Sequence, residues 1–232
     1  MLIRAHDLWR ACASPRRAWN GVHHWARVSR HAELRYADVM RYRSELFADH
    51  GFQAHLARCH RDIEYSFSEV IELYVLVRAL KPRVIVETGV ASGVSSAHIL
   101  LALAANGAGA LHSIDLPNTQ QGSLLPPGRA SGWAVPDDLR IRWKLYLGDA
   151  RELLPAVLGA LEHVDVFLHD SDHSYEHMSF EFEQALPKLA HGGLLLSDDT
   201  HLHAAWDDFC ATHGLRPGRV GHLGVTRNRR SA

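Results

Sequence analysis

From about residue 66 onward, the apolar positions of the chain alternate between two patterns. Short aliphatic, β-branched runs bounded by Gly, Pro or acids read as strands buried on both faces. They are Val84–Val86, Ala110–Ile114, Arg142–Leu147, Val164–Leu168 and Leu194–Leu196. Between them the spacing predicts helices over Val70–Leu80, from Ser95 through Leu101, after Ala150 to about Ala160, from Tyr175 to about Leu189, and from about Leu202 to Thr212. Ser66-Phe-Ser-Glu69 has the spacing of a capping box, and Pro82 stops the helix it would open. His191-Gly192-Gly193 is expected to end the Tyr175 helix, and the runs around Gly221 and Gly224 suggest a last antiparallel pair. The sum is an α/β fold: a Rossmann-like doubly wound sheet, mostly parallel, with an antiparallel C-terminal strand pair and an N-terminal helical extension.

The extension covers residues 1–65, and the α/β unit residues 66–232. Up to Arg61 the extension carries eleven Arg against five acids, so it is locally basic. Tyr36, Val39, Met40, Leu46 and Phe47 recur near helical spacing, so one face should pack on something. The plain reading is a solvated basic face on an accessory layer. The alternatives are a homo-oligomer contact through these helices or a lid favouring an anionic substrate. Trp9, Trp19 and Trp25 suit either core or interface anchors. Residues 116–138, with Pro117, Pro126, Pro127, Gly128, Gly132 and Pro136, form a loop long enough to be a functional lid or an insert.

Composition narrows the function classes. A net charge of −1 gives no global field for nucleic acid. No run approaches the ~18 apolar residues of a membrane span, and Met1-Leu-Ile-Arg-Ala-His-Asp lacks the apolar core of a signal peptide. Cys12, Cys59 and Cys210 are scattered, which points to a reducing, cytoplasmic setting rather than a disulfide framework.

Every predicted strand ends in polar or acidic residues, so the candidate chemistry lies along one sheet edge. After Val84–Val86 come Glu87 and a loop with Gly89 and Gly93, then a helix opening at Ser95-Ser96. A glycine turn of this kind lets main chain approach a ligand, and the helix N-terminus offers free N–H groups. An ordinary tight βα turn would look the same. Asp115 after the second strand suits ribose hydroxyls, and could equally be a loop acid. Asp149, in Gly-Asp-Ala150, could cap the next helix. Asp170 ends the fourth strand and Asp198-Asp199 the fifth; neighbouring strands lie ~4.8 Å apart, so these carboxylates converge. Gathered carboxylates repel unless a cation neutralises them, and an all-oxygen set suits Mg²⁺ or another hard divalent ion. The competing assignment is capping, by Asp199 or Thr200 on one helix and by Asp172 or Ser174 on another. His173 is placed as a general base, or as a loop imidazole bonded to backbone. His169-x-Asp-x-x-x-x-Tyr-x-His177 invites a His-metal reading, but His177 is expected to face away within its helix.

Taken in order, Val-Ile-Val-Glu87-Thr-Gly89-x-x-x-Gly93-x-Ser95, Ser-Ile-Asp115, Leu-Gly148-Asp149-Ala150, Asp170-Ser-Asp-His-Ser-Tyr-Glu176 and Gly-Gly-Leu-Leu-Leu-Ser-Asp198-Asp199 resemble the class I S-adenosylmethionine-dependent methyltransferases. The nearest likeness is to a small bacterial branch with an Asp-x-Asp-His-Ser-Tyr-Glu signature. That branch includes macrolide-sugar O-methyltransferases and is related to the metal-dependent catechol O-methyltransferases. The resemblance spans roughly residues 66–200. It implies that Glu87, Gly89, Ala91, Ser92, Gly93, Ser95 and Ser96 hold the methionine part of S-adenosylmethionine, with Asp115 on the ribose and Asp149 and Ala150 by the adenine. Asp170 would also lie beside the cofactor. Asp170, Asp198 and Asp199 fall on the metal-ligand positions, and His173 on that of the catalytic base. His169 stands where the family usually has an apolar residue.

The expected activity is then divalent-metal-assisted O-methylation of a small molecule with adjacent hydroxyls, a sugar or phenolic natural product. Two other classes remain: an NAD(P)-dependent oxidoreductase, and a non-catalytic cofactor-binding protein. The loop reads Gly-x-Ala-x-Gly rather than Gly-x-Gly-x-x-Gly, and hydride transfer has no use for Asp198-Asp199. Neither an Asn-Pro-Pro-Tyr type motif nor a basic–aromatic stripe favours a nucleic-acid acceptor.

Overall fold

The computed structural model describes residues 15–63 and 66–229. Trp9 and Cys12, and the side chain of Trp19, lie outside the described residues. Three helices lead in: α1 (Pro15–His31), α2 (Tyr36–Ala48) and α3 (His50–Cys59). Then follow α4 (Val70–Leu80), β1 (Val84–Thr88), α5 (Val94–Asn106), β2 (Ala110–Asp115), β3 (Trp143–Leu147), α6 (Ala150–Gly159), β4 (Val164–His169) and α7 (Tyr175–Ala185). The chain closes with β5 (Leu189–Ser197), α8 (Ala205–His213), β6 (Gly218–Val220) and β7 (Leu223–Arg227). None of the described helices is long and apolar enough to cross a membrane.

The seven strands form one sheet in the order β3-β2-β1-β4-β5-β7-β6. β1 to β5 are parallel, and β7 runs antiparallel to both β5 and β6. The order reverses between β1 and β4, which makes a crevice at their carboxyl ends. Strand residues alternate between two cores, as a period of two requires. Ile85, Val166, Leu168, Leu194 and Leu196 face the α4/α5 side, whereas Val86, Phe167 and Leu195 face α6, α7 and α8. The second core is sealed by Phe182, which meets Trp206 edge-on with ring centroids 5.7 Å apart.

The N-terminal helices share the first core. Trp25, Val28, Val39, Leu46 and Phe52 are buried in one cluster with Leu73 and Leu100. Arg78 of α4 reaches Glu45 of α2 through two hydrogen bonds of 2.6 and 3.0 Å, and Tyr74 donates to the same carboxylate at 2.5 Å.

One predicted cap and one predicted boundary are corrected, while the Val70–Leu80 helix has its expected bounds. The capping box does not form: the helix starts at Val70 with Glu69 as its N-cap residue and no side-chain cap bond. Glu69 is instead turned inward, where it accepts the His222 backbone N–H at 2.9 Å, a long-range demand that overrides the local motif. The Tyr175 helix ends at Ala185 rather than near Leu189, and β5 begins at Leu189, before the glycines. Leu186 precedes Pro187, which disfavours continued α geometry, and one 3₁₀ turn (Leu186–Lys188) carries the chain into the strand.

Candidate active site

A cavity of about 930 Å³ opens over the carboxyl ends of the parallel strands. Its wall takes Gly89, Ala91, Ser92 and Ser95 from the first βα connection, Asp115 from β2, and Asp149 and Ala150 after β3. Asp170 and His173 follow β4, and Asp198 and Asp199 follow β5. Among the described residues, none of α1–α3 lines it, so the lid reading of the N-terminal helices finds no support in the wall.

The glycine turn is shaped by its neighbours. Gly89 adopts φ +81°, and a Cβ there would lie 1.9 Å from the Asp170 carbonyl oxygen. Only glycine lets the loops after β1 and β4 pack this closely. Gly93 (φ +86°) is pressed against Gly132, and the Ala91 and Ser92 carbonyls accept from the Gly132 and Ala134 N–H groups at 2.8 and 2.9 Å. The long 116–138 segment is therefore fastened to the turn at one end, while Gln121–Leu124 reach the cavity wall.

Glu87, Gly93 and Ser96 stand behind the wall rather than on it. Glu87 is fully buried and accepts from the hydroxyls of Ser95, Ser96 and Ser113 at 2.6–2.7 Å. Its pKa is raised by burial against the pull of those three donors. Glu87 thus fixes the loop from behind the cavity wall. Asp115 faces the cavity and also accepts the Val90 N–H at 3.0 Å, tying β2 to the turn. Asp149 caps α6 by accepting the Arg151 N–H at 2.8 Å, and it still lines the cavity.

The acids after β4 and β5 split into two groups. Asp170 and Asp198 gather with His173, their ligand atoms all within 4.8 Å of one another. Asp199 gathers instead with His201 and His222. It keeps a link to the first group, because its Oδ2 lies 3.9 Å from His173 Nδ1. Neither Asp199 nor Thr200 caps α8, which begins at Ala205. Ser174 does cap α7, accepting the His177 N–H at 3.4 Å. Burial, then the charge of Asp198, pushes the Asp170 carboxyl well up; burial, then Asp199, raises Asp198. Two desolvated carboxylates side by side favour a shared proton or a cation. Burial and neighbouring His169 hold the His173 imidazole below its ordinary value, so it is neutral near pH 7. Its Nε2 is buried without a partner, 3.8 Å from Asp170 Oδ1, and Asp198 Oδ1 is likewise unpartnered.

Beneath these residues sits Glu181 of α7, fully buried. It accepts from Thr88 Oγ1 (2.5 Å), His169 Nδ1 (2.6 Å), Ser171 Oγ (2.8 Å) and His177 Nε2 (2.9 Å). Burial alone would raise this carboxyl; His169 first, with the hydrogen bonds from His177 and Thr88, outweighs it and holds the pKa far below the carboxylate range. His177 therefore does not face away. It is buried on the Glu181 face of α7 and reaches the cavity wall. The spacing of His177 and Glu181, four apart and flanking Met178 and Phe182, was the available signal. His169 stands in an otherwise apolar position because Glu181 supplies its partner. Sequence reasoning also missed His201, only two residues after Asp199, and His222, which chain distance separates from Asp199's strand-end pattern.

Residues 86–200 match a family model described as a methyltransferase domain. No protein of curated function matches the chain in sequence. Among solved structures, the chain is similar to the SAH-bound methyltransferase PaMTH1 of Podospora anserina (15% identity, 78% of this chain and 88% of that one, TM-score 0.58). It is also similar to an O-methyltransferase of Bacillus cereus in complex with SAH (14% identity, 78% and 91%, TM-score 0.55). A third is the O-methyltransferase NovP (17% identity, 70% and 80%, TM-score 0.55). At these identities the likeness is one of fold.

Proposed function

We propose that this chain, whose residues 86–200 match a methyltransferase-domain model, is a class I S-adenosylmethionine-dependent methyltransferase that O-methylates a small molecule with adjacent hydroxyls, a sugar or phenolic compound, with help from a divalent cation. The observation that carries this reading is the Asp170–Asp198 pair with neutral His173, set on the wall of the same cavity as the glycine turn.

The cavity fits the methyl donor in size and in charge. About 930 Å³ lies in the range of small-molecule sites, ~300–1,000 Å³. Asp115, Asp149 and Asp170 line it, which suits a ligand carrying ammonium and sulfonium charge. Gly89–Ser92 and Ser95 would hold the amino-acid part, Asp115 the ribose, and Asp149 and Ala150 the adenine side. With the sulfonium bound, the methyl group is already activated, and alignment is the main task left to the protein. Asp170 and Asp198 would hold Mg²⁺ or a similar ion, whereas Asp199 gathers with His201 and His222 instead; raised carboxyl pKa values and the unpartnered Asp198 Oδ1 fit a cation at the Asp170–Asp198 pair. Such an ion would acidify and fix two neighbouring acceptor oxygens. His173, which lines the cavity and is neutral near pH 7, takes the acceptor hydroxyl proton. Asp170 and Asp199, 3.8 and 3.9 Å from its ring nitrogens, stabilise the imidazolium formed. Hydride transfer gives these acids no such use.

Asp198→Asn should abolish methyl transfer to a vicinal-diol or catechol panel and leave SAH affinity within about threefold, a change of ~0.7 kcal/mol. Full turnover of that variant, or of the wild type in chelator, contradicts the metal role.

A further inference from the structure

Asp199, His201 and His222 meet at the rim of the cavity from two distant parts of the chain. His201 Nδ1 and His222 Nδ1 both point at one oxygen, Asp199 Oδ1, at 3.6 and 3.4 Å. These separations are too long for charge-assisted hydrogen bonds, which run ~2.7–2.9 Å. They match something else: two ligands on a tetrahedral ion with bonds of ~2.0–2.1 Å lie about 3.3–3.4 Å apart. The two rings are 4.3 Å apart between centroids, so both imidazoles crowd the same carboxylate edge.

The arrangement is held in place. Asp199 takes a left-handed backbone (φ +48°), which aims its carboxylate across the rim. The turn that carries His222 is tied to the neighbouring residue: Thr200 N–H and Oγ1 both donate to the His222 carbonyl, at 3.3 and 3.1 Å. The His222 N–H is in turn fixed by the buried carboxylate of Glu69. Backbone support of this kind orients ligands before an ion arrives.

We infer that Asp199, His201 and His222 form a second cation site, distinct from the Asp170–Asp198 pair, that takes a borderline transition ion such as Zn²⁺ or Co²⁺. Two imidazoles and one carboxylate are the donor set such ions prefer and Mg²⁺ does not. Three protein donors leave a fourth position for water or for an oxygen of a molecule in the cavity. Asp199 bridges the two sites, Oδ2 toward His173 and Oδ1 toward the imidazoles. The inference does not rest on the proposed reaction.

The test is a Co²⁺ titration of the full chain in excess Mg²⁺, read by visible absorption and by calorimetry. The wild type and Asp170→Asn/Asp198→Asn should both bind one Co²⁺ with the bands of a nitrogen-ligated, four-coordinate ion. His201→Ala/His222→Ala should bind it about 100-fold more weakly, some tenfold per imidazole, and each single variant about tenfold. Both histidines are half-exposed, so the variants should keep the wild-type far-UV circular dichroism. Unchanged Co²⁺ affinity in the double variant, or loss of the ion in Asp170→Asn/Asp198→Asn alone, overturns the inference. Methyl transfer does not enter the readout, so failure of the proposed function and failure of this site are separable.

Discussion

Glu181→Ala is expected to be among the most destabilising single changes in the chain. The side chain is an acid on a helix, a type of site where exposed substitutions usually fall within ~0.5 kcal/mol. Here it is fully buried and accepts four hydrogen bonds. Thr88 and His169 are also fully buried, so removing the carboxylate strands the His169 donor and leaves the Thr88 hydroxyl only the Leu168 carbonyl, 3.5 Å away, with no access to water. Each costs ~1–3 kcal/mol, and Ser171 and His177 add smaller losses because they sit nearer the cavity. The total is on the order of 4 kcal/mol, the range seen when one side of a buried charged network is deleted. With a urea m-value of ~2–3 kcal/mol/M, the unfolding midpoint should fall by about 1.5–2 M. Glu181→Gln keeps the shape and one acceptor, so about half of that loss is expected. The folded pKa of Glu181 is depressed, so its contribution is present above the ordinary Glu value of ~4.5 and is lost as pH falls toward the folded value. The gap between wild type and Glu181→Gln should therefore narrow in acid. An Ala variant within ~0.5 kcal/mol of wild type at pH 7 would refute the network's structural weight.

Three further outcomes follow from the same geometry. Gly89→Ala should cost about 2–5 kcal/mol or push the loops apart, because it combines left-handed strain with overlap on the Asp170 carbonyl; SAH titration and thermal unfolding would register it. Asp170 and Asp198 have raised folded pKa values, so their favourable state is full below the ordinary carboxylate range and fades as pH rises through the raised values. Asp170→Asn/Asp198→Asn should thus gain melting temperature relative to the metal-free wild type as pH rises from about 4 toward neutrality, and millimolar Mg²⁺ should stabilise the wild type at pH 7; no such pH-dependent gain and no Mg²⁺ effect would contradict the pair's role. The pH dependence of turnover should rise through an inflection below 6.5, since burial lowers His173, and His173→Ala should remove that limb.

Much of the fold was legible because its periods are local. Two-faced burial of Val84–Val86 or Val164–Leu168 follows from their aliphatic runs, and the acids after them mark one sheet edge. The Tyr175 helix ends short of its apolar spacing because Pro187 stops α geometry before the glycines are reached. The capping box failed because Glu69 answers to His222, 153 residues away. The same distance problem hides the rim site: Asp199 and His222 are joined only by the β5–β7–β6 turn-back. His177 is expected from the sequence to face away, and only Glu181, bonded in turn to His169 on β4, reveals why it is buried. Glu87 was legible as important, but its three serine donors, one from β2, show that it shapes the loop from behind.

The central claim is that the strand-end cavity binds the methyl donor. Calorimetric titration of the full chain with SAH, and separately with NAD⁺, tests it most directly. One SAH should bind per chain, Asp115→Ala should weaken it by about tenfold or more, and NAD⁺ should give no heat of binding. Binding of NAD⁺ without SAH, or SAH affinity unchanged in Asp115→Ala, would contradict the account.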